Sequence, residues 1–580
     1  MKLIRTSIEN FRSINKCQIN HDKITALVGK NNSGKSAVLR ALNAFFNYIE
    51  EEPHFHSGAH QYSNASHTRI ELTFSNVPNN DRYARLLNGN ELVLRMTYSR
   101  SSGKRSLFYK KNGKTNPLPE SFINELNEDI TFILIPIDRD NKEVIWNENS
   151  LLKLLLSEHF EKSTSRRDNL TPKVKKVASE LERVGLIKIQ EAIEKKYTLN
   201  KDFKFVFNFD SQIDYSLLLD QINIEINEKG LKYNITESGS GIQSLTIIAM
   251  YRYLAELRHK NIMLGIEEPE INLHPQAQRE FIKGLKESSS EIESQIIFTT
   301  HSSIIVDQLE HEEIVLFRKV EDNIRGFKTI VNQIPNNFFE RYNLQEQQYY
   351  KFYRYKNSDF FFSDFVIIVE SSIDAEVIKF LMKKENMDLD LTGISIIELG
   401  GVKSLDYPVY LLSNLSIPKL IIIDKDFFVP YLNDSLDASR DSNGFPRYRY
   451  QYKNESLSLI NYMIPKESKR DQLLNLLKTN HSSALNLLEE YNLISMRYCL
   501  EIDLISSQEA TKQFYDILNL QLTGDNSVDR KFLMTERKKA VKKIHYILEV
   551  IDRLPHRNLP NSYKRIKKVI GNAVKGIQRT

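Results

Sequence analysis

The segment Gly29-Lys30-Asn31-Asn32-Ser33-Gly34-Lys35-Ser36 constrains this chain more than any other. It follows an apolar run, Ile24 to Val28, that reads as a strand. It precedes Ala37-Val38-Leu39-Arg40-Ala41-Leu42, whose apolar residues have helical spacing. A strand turning through glycines directly into a helix points to an α/β fold. Glycines let backbone N–H groups converge on phosphate, and the helix start adds favourable partial charge. In that frame Gly29, Asn31, Asn32 and Gly34 form the cradle, Lys35 reaches terminal phosphates, and Ser36 is placed to ligate Mg²⁺. ATP binding is the expectation.

A length of 580 residues implies two or three domains. Hydrophobic residues make up 41% and charged residues 27%, the balance of an ordinary globular chain. No apolar stretch approaches the ~18–20 residues of a membrane span. The opening MKLIRTSIENF lacks the apolar centre of a secretory signal. Cys17 and Cys499 are the only cysteines, which excludes a disulfide framework and a cysteine zinc site; a reducing cytoplasm is the expected location. The net charge of +5 is unevenly spread. Residues 530–580 hold 15 Lys/Arg against 3 Asp/Glu, leaving 65 basic and 72 acidic residues elsewhere. Such a basic end suits phosphate backbones, or else it is a solvated helical surface.

Along the chain, Leu3–Ile8, Ile70–Phe74, Glu91–Met96 and Thr131–Ile137 read as strands, the last ending in Asp138-Arg139. Residues 151–200 change to apolar positions at helical spacing among many charges, an inserted arm suited to dimerisation. They divide a first domain into 1–150 and 201–345. Within the second part, Phe203–Phe209, Ile222–Ile226, Ile262–Ile266 and Ile296–Thr299 read as strands. The aromatic, charged segment Gln345–Phe361 marks a junction. From 361 to 580 the expectation is a small α/β unit followed by helices. Its strands are Phe365–Val369, Ile394–Glu398 and Leu420–Ile423, with a helix over Asp374–Met382 and helices beyond Leu457.

Three later segments complete the nucleotide site. Ile262 to Ile266 ends in Glu267-Glu268; one carboxylate suits the Mg²⁺ shell, and Glu268 can polarise the attacking water. Ser238-Gly239-Ser240-Gly241-Ile242-Gln243 opens a helix running through Leu257, and His301 follows the next strand. In this order the elements resemble the heads of ABC-type ATPases. The resemblance makes Ser238, Gly239, Gly241 and Gln243 a signature that contacts the γ-phosphate held by an opposite subunit. It makes His301 a γ-phosphate sensor. Glu268-Pro269-Glu270-Ile271-Asn272-Leu273-His274-Pro275 is similar to the corresponding segment of RecF-like and OLD-family heads. The first acid is Glu267 where Asp is usual, and Gln61 is the candidate for the glutamine that couples nucleotide to the lobes.

Two further apolar runs end in acid: Val366-Ile367-Ile368-Val369-Glu370 and Ile421-Ile422-Ile423-Asp424-Lys425-Asp426. Carboxylates at strand ends converge on one edge of a parallel sheet, where oxygen ligands suit Mg²⁺ or Mn²⁺. Singly, each is more often a turn or a helix cap; their joint order favours a metal site. This part resembles a Toprim domain, the fold of topoisomerases, primases and OLD-family nucleases. By that resemblance Glu370, Asp424 and Asp426 are catalytic, and Asp374 and Glu455 join them as metal ligands. Gly400-Gly401 supplies a tight turn, and a lysine nearer the C-terminus, Lys531 or Lys539, serves the same site. The usual Glu-Gly pair is Glu370-Ser371 here.

The whole chain is thus similar to the OLD (overcoming lysogenization defect) family, with an SMC/RecF-like head, a helical dimerisation insert and a Toprim unit with a basic helical end. The resemblance implies an ATP-regulated endonuclease on double-stranded DNA, at least a homodimer. It also implies a bacterial anti-phage role beside a partner protein or nucleoprotein, as in Gabija or retron systems. Two alternatives stay open: a RecF-like repair ATPase whose Toprim unit does not cut, and an ATPase sensor or scaffold that signals through a separate toxin.

Overall fold

The computed structural model describes residues 1–137, 151–162, 164–189, 224–258, 261–291, 294–322, 326–345, 358–401 and 404–579. The expected Asp138-Arg139 end, the strand Phe203–Phe209 and most of the junction segment 345–361 lie outside them. The chain divides into two compact units. The first is Met1–Gln308 with Phe317–Val320 and Phe327–Val331; the second is Leu309–Leu316, Glu321–Gly326 and Asn332–Thr580.

The antiparallel sheet of the first unit has six strands: β1 (Lys2–Phe11), β2 (Ile14–Asn20), β4 (His67–Ser75), β5 (Leu92–Ser99), β6 (Lys104–Lys111) and β7 (Lys114–Leu118), in the order β2-β1-β4-β5-β6-β7. Its strands alternate buried and exposed residues, as in Ile70, Leu72 and Phe74 of β4, because one face packs on the core. A second sheet runs β14-β13-β3-β12-β11-β8. In it β3 (Ile24–Val28), β12 (Ser294–Thr300), β11 (Ile262–Ile266) and β8 (Thr131–Ile135) pair in parallel. β13 (Ile314–Asp322) and β14 (Gly326–Gln333) extend it. β3 and β11 are buried along their whole length, which explains their unbroken apolar sequence. Parallel pairing puts the ends of β3, β11 and β12 on one edge, where ligands of α/β sheets bind.

The inserted arm is helical where described: Leu151–Lys162, Thr164–Leu181 and a π turn at Glu182–Leu186. Its root packs Leu151 and Leu152 against Ile247, Met250 and Leu254 of the helix Ser240–Arg258. Further out, Val177, Leu181 and Val184 are 60%, 55% and 56% exposed, an apolar stripe at i, i+4 and i+7. A two-stranded ribbon, β9 (Glu225–Glu228) with β10 (Leu231–Asn234), stands where Ile222–Ile226 was expected to be extended.

The second unit is built on a four-stranded parallel sheet ordered β16-β15-β17-β18: β15 (Phe365–Val369), β16 (Ile394–Glu398), β17 (Lys419–Ile423) and β18 (Leu493–Ser495). Chain order leaves β15 with β16 on one side and β17 on the other, a switch point that opens a crevice at the strand ends. The α/β fold class expected from the sequence is borne out. The basic end is part of this unit's core: Tyr563, Ile566, Ile570 and Val574 of the helix Asn561–Arg579 are buried. Some of its charges are paired, Lys567 with Glu385, Arg565 with Glu489 and Lys538 with Asp437. Among the described residues no helix is long and apolar enough to cross a membrane.

Candidate functional site

The loop 29–34 joins β3 to the helix Lys35–Phe46 through left-handed turns at Gly29 (φ 144°), Asn32 (φ 59°) and Gly34 (φ 104°). A side chain at Gly29 would meet the Phe317 carbonyl oxygen at 2.2 Å, and one at Gly34 the Ser13 hydroxyl at 2.7 Å. Both glycines are therefore required by conformation and by space. From β14, the Thr329 hydroxyl lies 2.9 Å from the Ser33 carbonyl and braces the loop. Lys35 Nζ donates to the carbonyls of Gly29 and Lys30, each at 2.9 Å. Burial lowers its pKa to about 8 against the opposing pull of Glu268 and Glu270.

Asn31, Asn32, Gly34, Lys35 and Ser36 line a cleft of about 640 Å³ together with Glu268 and His301. Glu268 has a left-handed backbone (φ 42°), unusual for a residue with a side chain, and its N–H donates to the Thr299 hydroxyl at 3.0 Å. His301 Nε2 stands 3.3 Å from Glu268 Oε1. Burial, reinforced by Lys35, lowers His301 to about 4, so the ring is neutral at pH 7. Glu270, given no role by sequence reasoning, accepts the His301 N–H at 2.6 Å and the Thr300 hydroxyl at 3.0 Å, holding the His301 backbone. Its place two residues after Glu268 was the available signal.

Glu267 is differently placed. It is buried, 3.3 Å from Arg40, and accepts the Ile137 N–H at 3.3 Å; it does not line the cleft. Gln61 does not line it either, and donates to the Phe55 carbonyl at 3.3 Å. His274 Nδ1 accepts from Ala277 N–H and caps the helix Pro275–Glu291. Ser238, Gly239, Gly241 and Gln243 also lie off the cleft. They shape the start of the helix Ser240–Arg258: Gln243 Nε2 donates to the carbonyls of Thr236 (3.2 Å) and Ser238 (2.9 Å). A side chain at Gly241 would sit 2.6 Å from the Asn272 carbonyl, so this turn is packed against the segment that follows Glu268.

In the second unit Glu370 follows β15, and Asp424 and Asp426 follow the neighbouring strand β17. Each of the three offers a carboxylate oxygen, all within 4.8 Å of one another. Glu370 Oε1 also accepts the Asp424 N–H at 2.8 Å. Burial raises Glu370 to about 7 with Asp426 and Asp374 adding to it, and it raises Asp424 well above the carboxylate range with Glu370 the leading neighbour. Crowded, desolvated acids of this kind suit a hard divalent ion, and the all-oxygen donor set fits Mg²⁺ or Mn²⁺.

Asp374 sits one turn into the helix Ser372–Lys383. It accepts the Ser371 N–H and hydroxyl, each at 2.9 Å, in a reciprocal cap. Its charge still bears on Asp424. Ser371 is extended (φ −143°), so the serine occupying the usual glycine position is unstrained and serves as N-cap. The turn at Gly400-Gly401 adjoins, the Gly401 N–H donating to the Glu370 carbonyl at 3.2 Å.

Glu455 is exposed on the first turn of the helix Asn454–Met463 and is not gathered with these acids. Glu501, which sequence reasoning passed over, bears electrostatically on both Asp374 and Asp424. One lysine near the acids is Lys542: it pairs with Glu501 at 2.9 Å, and Glu501, Cys499 and Asp424 hold its pKa up against burial. Lys453 adds a second cation 3.7 Å from Asp426. Lys539 shares a neighbouring hollow with Lys542, and Lys531 packs beneath Gly444.

A phosphate loop at the edge of a parallel sheet, with an acid and a histidine across the cleft, defines a P-loop ATPase head. The chain belongs to the AAA ATPase domain family, which matches it in two overlapping stretches, residues 1–130 and 98–306. Residues 361–426 match the TOPRIM domain of overcoming lysogenization defect protein-like proteins, and the two domains together bear out the OLD-family resemblance. Among curated relatives, the OLD nuclease of Thermus scotoductus is 28% identical over 205 residues, 35% of this chain and 38% of that protein. The Endonuclease GajA of Bacillus cereus HuB5-5 is 28% identical over 47% of this chain and 42% of its own length. The chain thus spans well under half the length of these two relatives. The Old nuclease of Escherichia phage P2 is 24% identical over 74% of this chain and 78% of its own length.

Proposed function

We propose that this protein is an ATP-regulated, metal-dependent endonuclease of double-stranded DNA that works in the cytoplasm as a dimer or larger assembly. The observation carrying the reading is the meeting of Glu370, Asp424 and Asp426 at one edge of a parallel sheet, in a chain that also carries a P-loop head. Relatives named as nucleases support it. Glu370, Asp424 and Asp426 hold Mg²⁺ or Mn²⁺, with Asp374 and Glu501 shaping the field around them. A bound ion supplies water activation and steadies the leaving oxygen. Lys542 and Lys453 balance the incoming phosphate charge.

In the head, Ser36 ligates the Mg²⁺ that accompanies ATP, Glu268 orients the hydrolytic water, and His301 reads the γ-phosphate. The signature Ser238–Gln243 lies away from its own chain's cleft, which supports completion of each site by the signature of a second copy. The exposed stripe Val177, Leu181 and Val184 supports pairing through the inserted arm. An anti-phage role, Gabija-like or retron-associated and with a further partner, extends the same reading. The serine at 371, where the family usually has glycine, is unstrained and caps a helix, so it is compatible with the cutting reading.

The test is cleavage of supercoiled plasmid with Mg²⁺ or Mn²⁺, with and without ATP, by wild type and Asp424→Ala. Cutting by the wild type alone supports the nuclease, and the ATP series gives the sign of control. Equal cutting by both proteins rejects the assigned acids.

A further inference from the structure

Beside the acids, the second unit contains a cleft of about 940 Å³ that neither Glu370, Asp424 nor Asp426 lines. Six cations border it, Lys425, Arg447, Lys478, Arg497, Lys512 and Arg557, against two acids, Asp503 and Glu509. Both acids are already committed. Asp503 is buried and accepts the N–H groups of Arg497 and Tyr498, each at 2.8 Å, and the Ser562 hydroxyl at 2.7 Å. Glu509 is paired with Lys512 at 3.6 Å. Among the described residues Arg447, Lys478, Arg497 and Arg557 form no ion pair, although each faces this one hollow.

Six cations against two acids leave a net positive potential in the cleft, and the matching ligand is an anion. The walls narrow the choice of anion, because aromatic rings alternate with the charges. Tyr450 has the Lys425 ammonium 5.2 Å and the Lys478 ammonium 6.0 Å from its ring centre, and Arg497 lies 5.5 Å from that of Tyr498. Flat faces beside unpaired guanidinium and ammonium groups are how proteins hold a base and its phosphate together. We propose that this cleft binds one nucleotide unit, separately from the P-loop, with Lys478, Arg497 and Arg557 on phosphate and the tyrosine rings against the base. The unit is either a free nucleotide or the end of a DNA strand.

Lys425 connects this cleft to the acids. Its N–H donates to the Tyr498 carbonyl at 3.1 Å within the Asp424-Lys425-Asp426 turn, while its buried ammonium reaches the cleft floor and donates to the Leu477 carbonyl at 2.7 Å. A ligand drawn against that floor therefore bears on the turn that carries both aspartates.

The experiment is calorimetric titration of the full chain in EDTA, where no cutting occurs, so the result stands apart from the nuclease reading. One probe is thymidine 5′-monophosphate, and the other a 5′-phosphorylated DNA strand of four nucleotides. Lys478→Glu with Arg497→Glu is expected to weaken binding about tenfold or more. Tyr450→Ala is expected to weaken it severalfold. Lys478 and Arg497 are both exposed, and unfolding midpoints report the fold of each variant. If charge reversal lowers the midpoint, the Gln pair at the same positions is read instead, with about threefold expected. Loss of the monophosphate alone assigns a free nucleotide, and loss of the strand, with or without the monophosphate, assigns a DNA end. Wild type that binds neither probe, or folded variants that bind both as tightly as wild type, overturns the proposal.

Discussion

The two sites are both built at the ends of parallel strands, yet their charges are balanced in opposite ways. In the head every key acid has a cation or donor beside it: Glu267 has Arg40, Glu268 has His301, and Glu270 has the His301 N–H. Behind them Glu51 accepts from Asn43 at 2.8 Å and meets His60 at 2.6 Å and Arg40 at 3.3 Å. In the second unit Glu370, Asp424 and Asp426 crowd one another, with Lys453 and Lys542 at the margins. A site whose ligand is an anion can be neutralised in advance by its own side chains. One whose ligand is a cation must be left with excess negative charge, at a cost in stability.

The sharpest way to break this comparison is to remove one acid from the crowded set. Asp424→Ala should lower plasmid cleavage about a thousandfold, or ~4 kcal/mol of transition-state stabilisation, while ATP binding by the head is unchanged. Lys542→Ala should reduce cleavage by roughly 10- to 100-fold, with Mn²⁺ restoring less of it than a shortfall in ion binding alone would require. Lys539→Ala, measured in parallel, should stay within about twofold of wild type if Lys542 is the group at the site.

Stability against pH sharpens the contrast, because the two units have opposite signs. Burial opposes ionisation of Glu51, but His60, Asn43 and Arg40 outweigh it and hold the pKa at about 2. That lowered value contributes stability above about pH 4.5, lost as pH falls towards 2, at most ~3 kcal/mol. Glu51→Gln should therefore melt below wild type at pH 6, with the gap narrowing to about half by pH 3 and closing only as pH nears 2. Glu370 is raised to about 7, so between its unfolded value near 4.5 and 7 the folded chain binds the extra proton. Without metal, the second unit should lose stability as pH rises through that window, and Mg²⁺ should flatten the loss. Differential scanning calorimetry across pH 3–8 reads both effects.

The smallest expected effect concerns Ser371. Ser371→Gly should shift stability by only a few tenths of a kcal/mol and leave cleavage near wild type, whereas Ser371→Ala should cost about 1 kcal/mol through the lost cap. Chemical denaturation of the three proteins measures the difference.

What was legible in the sequence had a local cause. β3, β11 and β15 fall where apolar runs end in glycine or acid, because a strand buried on both faces must be apolar throughout. β18 escaped reading because three residues are too few for a period, and nothing in Leu493-Ile494-Ser495 separates it from the helices around it. β13 opens on Ile314-Val315-Leu316-Phe317, a buried apolar run that sequence reasoning passed over, and β14 gives no such run. Glu370, Asp424 and Asp426 were found from strand ends, but Glu501 and Lys542 reach their neighbourhood through helix packing that spacing does not encode. The expectation of Glu455 followed family order, and the chain instead exposes that residue at the start of a helix.

The last-made strand of the second sheet has a consequence for synthesis. Ile421–Ile423, which lead into Asp424, are flanked on one side by Leu493–Ser495, and Glu501 and Lys542 lie further along the chain. A growing chain folds from its N-terminal domain onward. On the ribosome the P-loop head can be complete while the second unit still lacks an edge, an acid and a lysine. If the proposed nuclease reading holds, its chemistry is deferred until Lys542 has been made, after the whole of the head.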